Sequence, residues 1–257
     1  MKNKSAQVTL FIIIALIVVS ISLLFFLWIK PTFIDSSGGL KGFDGCVEDA
    51  VSSSVEKLGK QAGFISPEFS YMYNNDKIGY LCYTNLYYQP CIVQKPFLVN
   101  HLEEELLRDV REEINICYDN SIEDLKSRGY DVVSGGIDVE ILLEPKKILV
   151  NINAPTSVVG GGSSSYKNFD VVLNNPLYDM LMVSTSILQY ETRFGDSDID
   201  TFMIYYPDFI IDKLKQGDGT TVYVLQDKNT KTKFQFASRS YAWPAGYGIS
   251  SGLVREQ

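Results

Sequence analysis

The chain of 257 residues sets 23 Lys and Arg against 31 Asp and Glu, a net charge of -8, with 46% hydrophobic and 21% charged residues. That balance excludes a disordered tail, and it supplies too few clustered cations for nucleic acid or an anionic lipid surface to be the partner. One histidine, His101, leaves little material for imidazole chemistry.

From Val8 to Ile29 run 22 residues without a charge, rich in Ile, Leu, Val and Phe. At about 1.5 Å per residue they match the ~30 Å of a bilayer's hydrocarbon core, which predicts a single transmembrane helix over 7–30 with lipid as its partner. A discarded secretory signal has a shorter apolar region and a small-x-small site after it, whereas this run ends in Trp28, Lys30 and Pro31. Lys2 and Lys4 favour a cytoplasmic amino terminus. Pro31, paired serines and four glycines in "PTFIDSSGGLKGFDG" then read as a flexible linker over 31–45, leaving 46–257 as an extracellular domain.

Asp44 or Gly45 opens a first helix with Val47, Ala50, Val51, Ser54, Leu58 and Ala62 on one face, closed by Gly63. Candidate strands follow at Phe69–Tyr73, Ile78–Tyr83 and Cys91–Gln94. The longest helix runs from after Pro96 to about Arg128, with a possible break near Asn120. Its acids, Glu103, Glu104, Glu105, Asp109, Glu112 and Glu113, read as a solvated face with local ion pairs, and His101 as a solvated surface residue.

All four cysteines lie beyond the apolar run, as expected in an oxidising compartment. Four cysteines allow three pairings. Cys82 and Cys91 stand on two β-rich runs around a short connection, where a clip is geometrically easy, and that leaves Cys46 with Cys117. With no Cys-x-x-Cys spacing and one histidine, no metal site is expected.

Alternation in "GGIDVEILLEPKKILVNINAP" places Ile137, Val139 and Ile141 opposite Ile148, Val150 and Ile152 in a hairpin turning at Glu144 to Lys147. Gly160, Gly161 and Gly162 lack phosphate-loop spacing and read as a hairpin tip. Asn175 and Pro176 open a further helix with Leu177, Met180, Leu181, Ser184, Ile187 and Leu188 inward and Gly195 past its end. Asp196, Asp198 and Asp200 have the alternate spacing of calcium loops, but Thr201 and Pro207 replace the required Gly and Glu, so they read as capping and turn carboxylates. The remainder reads as a strand at Phe202–Tyr206, a short helix led by Pro207, and a hairpin from "TVYVLQ" to "FQFAS".

The expected fold is therefore α+β: one transmembrane helix, a Gly-rich linker, and an exterior domain of three or four helices interleaved with antiparallel hairpins. No Gly-x-Ser-x-Gly turn and no catalytic or cofactor-binding residues can be singled out, so a non-enzymatic protein without a cofactor is expected.

The opening "KNKSAQVTLFIII", with Lys2 and Lys4 before Ala6-Gln7 and an uninterrupted apolar run, resembles the class III signal peptides of archaeal type IV pilin-like proteins. That resemblance implies a prepilin-type peptidase as partner, cleavage between Ala6 and Gln7, a cytoplasmic leader of residues 1–6, and self-association through the retained apolar helix. "CVEDAVSSSVEKLGKQAGFI" and "EINICYDNSIEDLKSRGYDV" are similar to exported proteins of small-genome archaea. The resemblance implies a structural or assembly role at the cell surface, such as a minor filament subunit. Phe11 stands where many such pilins carry Glu, and Pro31 ends the apolar run at once. Those two residues fit the alternatives of a tethered binding module of an envelope complex or, less well, a membrane-anchored hydrolase.

Overall fold

The computed structural model describes residues 16–21, 40, 42–159 and 163–240. The chain divides into two compact units, Met1–Lys41 and Gly42–Gln257. In the first, residues 16–21 are helical, with Leu16, Ile17, Val18, Val19 and Ile21 exposed. Among the described residues no helix is long and apolar enough to cross a membrane, and this corrects the transmembrane helix expected over 7–30. The rest of that run lies outside the described residues, as do the leader 1–6 with Ala6 and Gln7 and most of the linker.

The second unit is an α+β fold. Its helices are α1 (Phe43–Lys60), α2 (Leu98–Ser127), α3 (Leu177–Phe194) and α4 (Ile199–Tyr205). The first sheet contains β1 (Ser70–Tyr73), β2 (Asp76–Tyr83), β3 (Ile92–Val93), β8 (Phe209–Lys215), β9 (Thr220–Asp227) and β10 (Lys233–Arg239). They run in the order β1-β2-β10-β9-β8, with β3 also paired to β2. The second contains β4 (Asp131–Ser134), β5 (Asp138–Glu144), β6 (Lys147–Val159) and β7 (Ser163–Asn174). Here β6 is central: β7 pairs along its length, while β5 and β4 pair with its first and second halves.

The helices join the sheets. α1 and α3 each contact strands of both sheets, and α2 packs on α1 and on β4 and β5. Leu58, Leu102, Leu106, Ile114 and Ile148 are fully buried in this layer, each contributing about 1.5–3 kcal/mol of apolar burial. Three residues assigned to the linker prove helical, because α1 starts at Phe43 after Gly42 at φ 86°. The reason is Phe43, which is fully buried with its ring edge-on to Tyr118 and Phe169 at 6.1 and 5.7 Å. Cys46–Cys117 ties α1 to α2, and Cys82–Cys91 closes the loop between β2 and β3.

α2 runs unbroken for 30 residues, without the break near Asn120. β6 continues through Pro155, where its pairing with β7 shifts register between Asn153 and Thr156. A proline that cannot donate to the ladder is accommodated at such a bulge. The glycine run 160–162 lies outside the described residues, but the strands on either side pair as far as Val159 and Ser163.

Two further expectations are corrected. Residues 199–205 form a helix and not a strand, since Asp198 caps it by accepting from the Asp200 N–H at 3.1 Å. Residues 209–215 form strand β8 and not a helix, registered on β9 from Phe209↔Asp227 to Lys215↔Thr221. The pairing is also less local than hairpins alone would give, because β10 joins β2 in parallel from a distant part of the chain.

Candidate functional site

A cleft of about 640 Å³ opens between the start of α2, the 64–69 segment and the chain leaving β3. His101, Glu105 and Arg108 lie one turn apart on α2, so they project to one side. Glu105 is only 8% exposed. Its Oε2 accepts from the Ile65 N–H at 2.8 Å and its Oε1 holds Arg108 Nη1 at 2.5 Å. One buried carboxylate thus fixes the 64–69 segment and orients a guanidinium whose side chain is 64% exposed.

Phe64 packs its ring 4.7 Å from the His101 imidazole. It is seated there by Gly79, where a Cβ would stand 2.7 Å from the Phe64 ring. Lys95 Nζ stands 5.4 Å from the centroid of the same ring. Among the described residues no ion pair or hydrogen bond holds that ammonium. His101 is not the solvated residue expected from its charged helix. It is half-buried, and its Nε2 has no partner among the described residues. Burial and then Lys95 push its pKa below the usual histidine value, outweighing Glu105 and Glu104, so the imidazole is neutral at pH 7. The cleft thus gathers ionic and aromatic groups suited to recognition.

Beside the cleft, the loop closed by Cys82–Cys91 carries Leu86, Tyr87 and Tyr88, followed by Ile92 and Phe97, all between 52% and 78% exposed. The loop's base is fixed from beneath. The Cys91 N–H donates to Ser240 Oγ at 3.0 Å, and Cys91 Sγ lies 3.7 Å from Ser238 Oγ. Ser238 donates at 3.0 Å to Oε2 of Glu191, whose other oxygen accepts from the Tyr223 hydroxyl. Glu191 is 2% exposed and Tyr223 fully buried. Burial pushes the Glu191 carboxyl up, against the pull of its hydrogen bonds to Tyr223 and Ser238, and it pushes the Tyr223 hydroxyl up as well.

The sequence singled out other carboxylates. Asp198 caps α4, and Asp196 pairs with Lys213 at 2.5 Å and Lys215 at 3.3 Å. Burial alone would raise the Asp196 pKa, but the two lysines outweigh it and hold the carboxyl low. Among the described residues no group of three or more His, Cys, Asp or Glu is placed to hold a metal.

Sequence reasoning missed Glu105 and Glu191. A signal existed for Glu105: seven residues after Leu98 and three after Leu102, it falls inside the apolar arc of α2, about 20° from Leu98 at 100° per residue. Glu191 likewise stands four residues after Ile187 on the inward face of α3.

No protein-family model, no curated protein and no solved structure matches the chain.

Proposed function

We propose that this is an exported, pilin-like protein whose domain of residues 42–240 docks onto other proteins of a surface assembly. The observation that carries the reading is the exposed apolar set of Leu86, Tyr87 and Tyr88 on a loop whose base is covalently closed, with Ile92 and Phe97 on the chain that follows it. Exposed aromatic groups gathered in one place are characteristic of interface cores, and a closed loop loses little conformational entropy on docking. The two disulfides support maturation in an oxidising compartment. Ala6-Gln7, in its setting between lysines and an apolar run, supports trimming by a prepilin-type peptidase.

The test is to isolate the full chain from its native cells with and without the paired changes Ile92→Ser and Phe97→Ser. The wild type is expected to begin at Gln7 by mass and to sediment in a complex from which the double variant is released, still folded by circular dichroism. A wild-type chain that begins at Met1 and sediments as a monomer, indistinguishable from the variant, refutes the proposal. The cleft beside His101 favours a second reading, a binding module of an envelope complex.

A further inference from the structure

We propose that the cleft between α2 and the 64–69 segment is a binding site for a ligand that joins a carboxylate to an aromatic or similarly flat apolar group. Lys95 and Arg108 take the carboxylate, and Phe69 and Tyr80 receive the apolar part. This goes beyond the assembly reading and does not depend on it.

The charge argument comes first. Lys95 makes no ion pair among the described residues, so its ammonium is available to an incoming acceptor. Arg108 spends Nη1 on Glu105, leaving the rest of its planar fork available to an acceptor. Each Glu105 oxygen accepts one hydrogen bond, from Arg108 and from the Ile65 N–H, and neither is bonded to Lys95. Glu68 also lines the cleft, so affinity has to come from contact with the two cations and not from a long-range field.

The apolar argument is independent. Phe69 is 47% exposed although it lies in an aromatic cluster, 4.7 Å from Tyr80 and 4.3 Å from Tyr83 by ring centroids. A flat ligand group can extend that cluster into the cleft, whose volume lies within the ~300–1,000 Å³ usual for small-molecule sites. Opposite it, His101 adds no charge of its own while it stays neutral.

His101 also serves as the reporter, because it is the chain's sole histidine and gives a single imidazole Hε1 signal in a proton NMR spectrum. It is faced by Lys95 and Arg108, which oppose its protonation, and by Glu104 and Glu105, which favour it. A carboxylate that neutralises the two cations removes that opposition, so binding raises the histidine's titration midpoint.

The experiment titrates His101 in the full chain with N-acetylphenylalanine and, separately, with N-acetylphenylalanine amide. The expected result is a saturable rise in the midpoint with the acid and no rise with the amide, and at least a tenfold weaker response to the acid in Lys95→Met. Arg108→Gln is expected to weaken it likewise; should that variant loosen the 64–69 segment, Lys95→Met decides, because among the described residues its ammonium makes no hydrogen bond or ion pair and lies only over the Phe64 ring, and its affinity is read from the acid concentration at half-saturation and not from the size of the shift. An equal response to acid and amide, an unsaturable response, or an unchanged response in Lys95→Met overturns the proposal.

Discussion

Replacing Tyr223 by Phe isolates one hydrogen bond in a buried polar cluster of the domain. The ring itself should stay, because it stacks on Phe236 with centroids 5.1 Å apart and planes 20° apart, so no cavity is made. What is lost is the hydroxyl that donates to Glu191, a carboxyl 2% exposed with Ser238 as its remaining side-chain donor. A hydrogen bond to a charged group contributes about 1.5–3 kcal/mol, and one to a neutral group about 1 kcal/mol. The sign of the pH dependence follows from linkage. Burial holds the folded Glu191 pKa above its unfolded value, so the carboxyl binds its proton more tightly in the fold, and its contribution to stability is lost as pH rises through the folded pKa. The Tyr223 hydroxyl pulls that pKa back down, and removing it deepens the loss on the alkaline side. The variant should therefore be destabilised by about 1.5–3 kcal/mol at pH 8 but only by about 1 kcal/mol at pH 4. For a domain of this size that corresponds to falls in Tm of about 3–12 °C and 2–4 °C. Urea and thermal unfolding followed by far-UV circular dichroism at the two pH values measures both. Equal losses at pH 4 and pH 8 would refute the argument that Tyr223 supports the ionised carboxyl.

The other expectations rest on separate parts of the fold. Removing Cys46–Cys117 with paired alanines should cost more than removing Cys82–Cys91, roughly 4.4 against 2.6 kcal/mol, since the bridges have sequence separations of 71 and 9; equal urea midpoints would contradict this. Gly59→Ala should destabilise by about 1–2 kcal/mol net, because its Cβ would stand 2.3 Å from the Lys233 carbonyl oxygen, outweighing the ~1 kcal/mol gain in helix propensity. A raised Tm for that variant would show that α1 does not approach β10 so closely. Asp198→Ala should cost about 1 kcal/mol by uncapping α4, read from the urea midpoint, and no change would remove the cap as the reason that segment is helical.

The parts of the fold readable in the sequence are those where one period dominates locally. Ile148, Val150 and Ile152 alternate with half-exposed neighbours along β6, and all three are buried. α3 has Asn175 and Pro176 before it and Gly195 after it at φ 71°, so composition and geometry agree at both ends. Where propensity and capping compete, the reading failed. "IDTFMIY" is rich in β-formers, but the Asp198 carboxylate accepts from the free Asp200 N–H in the first turn of a helix and decides the outcome. The parallel pairing of β2 with β10 leaves no local trace, because neither strand carries a signal for a partner so far along the chain. The apolar run at the amino terminus was legible as composition, yet among the described residues no helix is long and apolar enough to cross a membrane.

The candidate sites were the least legible part, for a physical reason that the two glutamates share. A sequence reading assigns acids to the solvent because an unpaired buried charge is so costly, and that cost disappears when donors from distant segments converge on the carboxyl. Glu105 gathers its donors from Arg108 and Ile65, and Glu191 from Tyr223 and Ser238. In both cases the buried acid stabilises a segment that presents something outward. Glu105 anchors the 64–69 segment below the exposed Phe69 ring. Glu191 reaches the loop of Leu86, Tyr87 and Tyr88 through Ser238, which lies against Cys91. An apolar surface on a backbone held in this way binds without first having to be ordered, and a substitution at Glu191 should therefore alter recognition at a surface it does not touch.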